Sequence, residues 1–156
     1  MPRRKRIIKR RPIVDVRFND FEVGKFVNTL MLSGKKSTAY HAFYDALDLI
    51  QERTTRDPLG VFKKAISNVR PKLEVRPRRV GGATYQIPIE VPTNRSLALA
   101  IRWIIGYAKN RSEKTMSEKL ASELIAASKN EGSSVKKRED THKMADANKA
   151  FAHFKW

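Results

Sequence analysis

From Phe21 onward the apolar residues of the chain recur with a helical period. Val23, Phe26, Val27, Leu30 and Met31 fall at i, i+3, i+4, i+7 and i+8 on one face, with Asp20 placed ahead of them as an N-cap. Beyond Ser33-Gly34 a second stripe runs through Ala39, Ala42, Phe43, Ala46, Leu47 and Ile50. Asp57-Pro58 opens a third helix, a capping carboxylate followed by a proline whose missing N–H needs no partner at that position. Its stripe is Leu59, Phe62, Ile66 and Val69, and it stops before Pro71. A fourth helix spans about Arg95 to Asn110, with Leu97, Ile101, Ile104, Ile105 and Ala108 on its apolar side. The fifth begins with a capping box, Thr115 and Glu118, ahead of Leu120, Leu124 and Ala127, and Gly132 is expected to end it. The sixth, from about Ser134 to Ala150, has a weak apolar face and many basic residues, so part of its order is expected to come from a partner.

Between the third and fourth helices the period changes to two. Leu73 to Val80 and Ala83 to Val91 alternate on either side of Gly81-Gly82, the pattern of a β-hairpin. Matching apolar with apolar residues sets Leu73 opposite Val91, Val75 opposite Ile89 and Pro77 opposite Ile87, with a three-residue loop from Gly81 to Ala83. In that register Arg76 faces Pro88, Arg78 faces Gln86, and Glu74 faces Glu90, a like-charged pair that speaks against it. Pro77 and Pro88 cannot donate to a ladder, which suits a two-stranded ribbon with two edges. The ribbon is expected to project from the helices, the alternative being an arm packed on them. The resulting fold class is mainly α, a bundle of about six helices with one protruding two-stranded β-hairpin.

Composition adds a partner to this picture. The chain has 156 residues, 33 Lys and Arg against 16 Asp and Glu, a formal charge of +17 and no cysteine. That length suits one domain, with a basic arm over 1–12, the ribbon over 73–91 and a C-terminal helix and tail over 134–156. At 40% hydrophobic there is material for a core, so the excess charge faces outward and calls for a polyanion to neutralise it. Residues 1–12 hold seven basic groups and no acidic one, and residues 70–112 hold nine against two. Such concentration is the footprint of a nucleic-acid surface. The arm taken alone also fits a localisation-like run or a disordered tail.

In the fourth helix Arg95, Arg102 and Lys109 are spaced by seven and line up opposite the apolar face, about 10 Å apart. Such a row can follow a phosphate backbone, or be a solvated face. Trp103 and Tyr107 on its flank read as packing residues. The most apolar stretch, Leu97 to Ile105, is split by Arg102 and falls far short of the roughly 20 residues that cross a bilayer. No signal peptide is expected, because the basic start has no long apolar run behind it.

The missing cysteines exclude disulfides, thiolate metal sites and a thiol nucleophile. Gly34-Lys35-Lys36-Ser37 resembles the tail of a phosphate-binding loop but lacks its leading glycine, position 29 being threonine. Those lysines after a helix end still suit phosphate contact as point charges. His41, His142 and His153 have no metal-ligand spacing, and no paired carboxylates stand out for acid–base work. No enzyme, no metal, no cofactor and no small-molecule substrate are expected.

Residues 70–91 resemble the hairpin of the small-subunit ribosomal protein seven family. So do Phe26-Val-Asn with Gly34-Lys-Lys-Ser-Thr-Ala39, Ala100-Ile-Arg-Trp-Ile104, and Val135 to Phe154 with its Lys-Lys-Arg-Glu-Asp-Thr-His-Lys-Met-Ala core. The likeness spans nearly the whole chain in order, with Pro77 as a local departure. It implies six helices and one protruding hairpin, binding to the 3′ major domain of small-subunit rRNA, and nucleation of the subunit head. Carried over as rRNA contacts are Arg3, Arg4, Lys5, Arg6, Lys9, Arg10 and Arg11 of the arm, Lys35 and Lys36, then Arg76, Arg95, Arg102, Lys109 and Arg111. Near exit-site tRNA and mRNA the likeness places Arg78, Arg79, Gly81, Gly82 and Tyr85 of the tip. Lys136, Lys137, Arg138, His142 and Lys149 of the sixth helix go to the same region, beside small-subunit protein eleven. The implied location is the cytoplasm, or a plastid stroma. An architectural DNA-binding protein is the alternative, and an RNA-processing enzyme ranks last for want of a metal-binding carboxylate cluster.

Overall fold

The computed structural model describes residues 14–154. Two compact units divide the chain, one through Tyr40 and one from His41. The basic arm, Arg3 to Arg11, lies outside the described residues.

In the first unit, Asp15 is buried and its carboxylate accepts hydrogen bonds from the backbone N–H groups of Arg17 (3.0 Å) and Phe18 (2.9 Å). This short turn leads into α1 (Phe21–Leu30), which Asp20 caps by accepting from the N–H groups of Glu22 and Val23, as the sequence predicts. Val23, Phe26, Val27 and Leu30 are buried. Met31 leaves the stripe and becomes the C-cap, extended, with its N–H on the Val27 carbonyl. Ser33 and Gly34 both take positive φ, 51° and 76°, and turn the chain into α2 (Lys36–Thr54).

The second unit contains the rest of α2, with Phe43, Ala46, Leu47 and Ile50 buried and Phe43 edge-on to Phe62 at 5.3 Å. Next come α3 (Pro58–Val69), capped by Asp57, then β1 (Leu73–Val80) and β2 (Ala83–Glu90). They are followed by α4 (Thr93–Lys109), α5 (Met116–Ser128), α6 (Ser133–Ala147) and a 3-10 segment, Lys149–Phe154. α3 packs on α4 and α5, and α4 packs on α5 and α6. Their apolar stripes meet in a core that includes Phe62, Ile66, Ile101, Ile104, Leu120 and Leu124, each removed from water. At about 1.5–3 kcal/mol per large side chain, that burial is the main force holding the helices together. Asn68 adds a polar tie, its amide donating to the carbonyls of Ala127 and Ser128 at the end of α5.

Several boundaries differ from the expectation. α4 starts two residues earlier, behind Pro92, and has no side-chain cap. α5 keeps its capping box but ends before Gly132, through Asn130 at φ 65° and a bond from the Glu131 N–H to the Ala126 carbonyl. Asparagine tolerates this left-handed conformation, so glycine is not needed there. Gly132 instead occupies the N-cap of α6 at φ 92°, where a Cβ would lie 3.3 Å from that of Ala126. α6 stops at Ala147 rather than Ala150, and the chain tightens into 3-10 geometry.

The ribbon forms where predicted, between α3 and α4, but in another register. Leu73 pairs with Glu90, Val75 with Pro88, Arg76 with Ile87, Pro77 with Gln86 and Arg78 with Tyr85. Only Gly81 and Gly82 remain in the loop, at φ 57° and 90°. Positive φ at both central residues gives the hairpin turn whose twist matches that of the strands, and glycine adopts it freely. Turn chemistry therefore overrides apolar matching, and the clash of Glu74 with Glu90 disappears. Cross-strand partners share a face, so Glu74, Arg76 and Arg78 lie with Ile89, Ile87 and Tyr85. The ribbon packs on α6 and on the 3-10 segment, and this packing reaches toward the tip, where the Tyr85 ring meets that of Phe151 at 5.1 Å. Arg78, Arg79, Gly81, Gly82 and Thr84 at the tip are exposed.

Candidate nucleic-acid interface

The predicted cations fall into two physical groups. The first is exposed and without ion-pair partners among the described residues. On the ribbon tip it comprises Arg78 and Arg79, which point to opposite faces because they are neighbours on a strand. Along α4 it comprises Arg102 and Lys109, on the polar side opposite Ile101, Ile104 and Ile105. Along α6 it comprises Lys136 and, half-buried, Lys137, with Lys149 exposed at the start of the 3-10 segment. In the first unit Lys35 is exposed, while Lys36 lies over the Tyr40 ring at 5.5 Å. A solvated ammonium or guanidinium of this kind exchanges small counterions for phosphates at little cost.

The second group is tied into the fold. Arg76 and Arg95 both bind the carboxylate of Glu74, at 2.8 Å each, and remain half exposed. Arg111 is held at 2.7 Å by Glu123, with Glu113 at 3.6 Å. Glu123 is 1% exposed, and its other oxygen accepts from the Ser134 hydroxyl at 2.6 Å and the Ser134 N–H at 3.2 Å. It thus serves as a remote cap for α6, whose own N-cap is a glycine, and its charge sits where the helix dipole favours an anion. Arg138 donates to the Asn68 carbonyl at the end of α3 and to Asn130, and pairs with Glu139.

His142 accepts a hydrogen bond at Nε2 from the Lys72 N–H at 3.0 Å, which fastens the start of the ribbon to α6. Accepting there requires the neutral ring. Its pKa is accordingly lowered, first by burial and then by the charges of Arg138 and Lys72, with Asp146 opposing. Arg70, Lys72, Arg138, His142 and Lys143 line one open hollow of about 480 Å³ together with Glu139 and Asp146.

Sequence reasoning thus placed Arg102, Lys109, Arg78 and Arg79 on exposed surface, and it passed over Glu74 and Glu123, which organise the arginines around them. Glu123 carried a readable signal, lying three residues after Leu120 on the buried stripe of α5. Among the described residues no cluster of three His, Asp or Glu side chains could hold a metal ion. No helix among them is long and apolar enough to cross a membrane.

Comparison with known proteins agrees with this picture of a basic, largely helical chain. The family model described as ribosomal protein S7p/S5e matches residues 2–149. The protein named small ribosomal subunit protein uS7 from Magnetococcus marinus is 60% identical over 156 residues, covering all of both chains. Those of the same name from Myxococcus xanthus and Syntrophotalea carbinolica are 60% and 59% identical, again over the full length of each. Identity at this level over the full matched length, together with the six α-helices among the described residues and the hairpin between α3 and α4, leaves one assignment: the chain belongs to the ribosomal protein S7p/S5e family and is not an enzyme.

Proposed function

We propose that this chain is a structural protein of the bacterial small ribosomal subunit in the cytoplasm, binding the 3′ major domain of small-subunit rRNA and nucleating assembly of the subunit head. The observation that carries the reading is the set of exposed cations on the ribbon tip, α4 and α6 that have no ion-pair partner among the described residues. Phosphate contacts from Arg102, Lys109, Lys35, Lys36 and the arm supply affinity, and the shape of a folded RNA junction supplies specificity, since duplex RNA hides its base edges in a deep groove. Arg78, Arg79 and the Gly81-Gly82 turn at the exposed tip reach exit-site tRNA and mRNA. Lys136, Lys137 and Lys149 face the same region and neighbouring protein eleven, while Arg138, His142 and Tyr85 hold the surfaces that present them.

Competition binding at one near-physiological salt concentration tests the target. The competitors are 3′-domain RNA, an unrelated folded RNA of equal length and duplex DNA. A preference of a hundredfold or more for the 3′ domain, about 2.7 kcal/mol, is expected. Equal binding to all three refutes it, and preference for duplex DNA replaces it with an architectural DNA-binding role. Arg78→Ala with Arg79→Ala leaves affinity for head RNA intact and lowers exit-site tRNA occupancy. Lost RNA affinity with unchanged tRNA behaviour reverses the assignment of the tip.

A further inference from the structure

We propose that Glu74, Arg76 and Arg95 form a binding site for a single RNA phosphodiester, in which the two guanidiniums grip the phosphate and Glu74 is the positioning residue that presents them. The proposal rests on the reading that this chain binds RNA through its ribbon and α4. Glu74 belongs to the packed face of the ribbon, and its side chain is 9% exposed. Its Oε1 accepts from Arg76 Nε at 2.9 Å and from Arg95 Nε at 3.0 Å. Two nitrogens at those distances from one oxygen lie no more than 5.9 Å apart. One arginine comes from β1 and the other from the first turn of α4, so the carboxylate fixes two separate elements against each other.

The donors that remain point to a ligand. A guanidinium carries five N–H groups. Arg95 uses only Nε–H on Glu74, and Arg76 uses Nε and Nη2. The remaining N–H groups of both find no acceptor among the described residues, and the side chains are 54% and 48% exposed. The Arg111–Glu123 pair in the same unit shows the contrasting arrangement, with its arginine only 28% exposed and its Nη1 facing a second carboxylate, that of Glu113. Charge completes the argument. Two cations this close repel, one buried carboxylate offsets half of their charge, and the net single positive charge matches one phosphodiester. Holding both forks in advance removes rotamer freedom that binding would otherwise have to remove.

The test measures binding of the full-length chain to the 3′-domain RNA across a series of salt concentrations. The variants are Glu74→Gln, Glu74→Asp, and Arg76→Ala combined with Arg95→Ala. The double arginine variant is expected to lower the slope of log affinity against log salt by one phosphate contact, about 0.7–0.9, rather than two. Both Glu74 variants are expected to weaken binding at least threefold, because the amide loses the second guanidinium and the aspartate loses the reach while keeping its charge. Unfolding midpoints confirm that the variants are folded, and if Glu74→Gln is not, the other two carry the test. Tighter binding by Glu74→Gln with no change in Glu74→Asp overturns the positioning role, since the carboxylate then merely competes with RNA. An unchanged slope in the double variant, or a loss of two contacts, overturns the single-phosphate site. Wild-type binding that shows no preference for 3′-domain RNA overturns the choice of target instead, and the slopes still judge the site.

Discussion

Removal of the Glu123 carboxylate is expected to destabilise the second unit more than any single surface change. Its two oxygens take three hydrogen bonds, from Arg111 Nε and from the N–H and hydroxyl of Ser134, and they link the α4–α5 connection to the start of α6. Hydrogen bonds to a charged group contribute about 1.5–3 kcal/mol each, but they do not add when they share one carboxylate. Breaking a buried ion pair by deleting one partner costs about 3–5 kcal/mol. Arg111 keeps some solvent and a second carboxylate, Glu113, at 3.6 Å, which sets Glu123→Ala near the lower figure, about 3 kcal/mol. For a chain of this length that lowers the unfolding midpoint by about 6–12 °C. Glu123→Gln, which keeps the volume and one acceptor, is expected to cost about half as much. Calorimetry or circular dichroism reads the midpoints, and a double-mutant cycle with Arg111→Ala reads the pairwise part, expected at about 1–3 kcal/mol. Amide exchange should rise at Ser134 ahead of the rest of α6. A cost below about 1 kcal/mol for Glu123→Ala, or no coupling to Arg111, refutes the view that this carboxylate caps α6.

Three further outcomes are expected. Gly82→Ala places a side chain at φ 90° with no neighbour within 4 Å, so its cost of about 1–2 kcal/mol is backbone strain alone and appears as faster amide exchange in the ribbon; Gly106→Ala, in the exposed interior of α4, is the control and should stabilise. His142 has a folded pKa below its ordinary value, so its bond to Lys72 contributes fully above about pH 6.5 and is lost as pH falls through the depressed folded value; an NMR titration showing the Lys72 amide indifferent to that protonation refutes it. Deleting residues 1–12 removes seven cations and should lower the salt slope of RNA binding by several units, whereas an unchanged slope means the arm stays in solvent.

Local rules made most of the fold legible. Asp20, Asp57 and the Thr115–Glu118 box cap helices through bonds that span three residues or fewer, so the sequence around each is sufficient to predict it. The apolar stripes of α3, α4 and α5 marked the core for a similar reason, since a helix face follows from its period. The two basic concentrations were countable without any structure, and so was the absence of thiol chemistry. Family likeness carried the choice of RNA target, which neither counting nor geometry supplies.

Pairing by hydrophobicity failed in the ribbon because the Gly81-Gly82 turn sets the register, and the packed face that results holds Glu74, whose charge is matched by Arg76 and by Arg95, 21 residues away. Gly132 looked like a terminator, yet its role is to admit the approach of α5 to the start of α6. Arg111 and Arg138, which family likeness places toward RNA, are also tied to Glu123, Asn68 and Asn130, contacts that no local pattern announces. The sequence by itself determined the helices, the hairpin, the core stripes and the sign of the partner's charge, because propensity, capping and net charge act over a few residues or over none. Only the tertiary structure decided which cations are free and which are clamped, because an ion pair depends on side chains that folding brings within 3 Å from positions 12 or 21 residues apart.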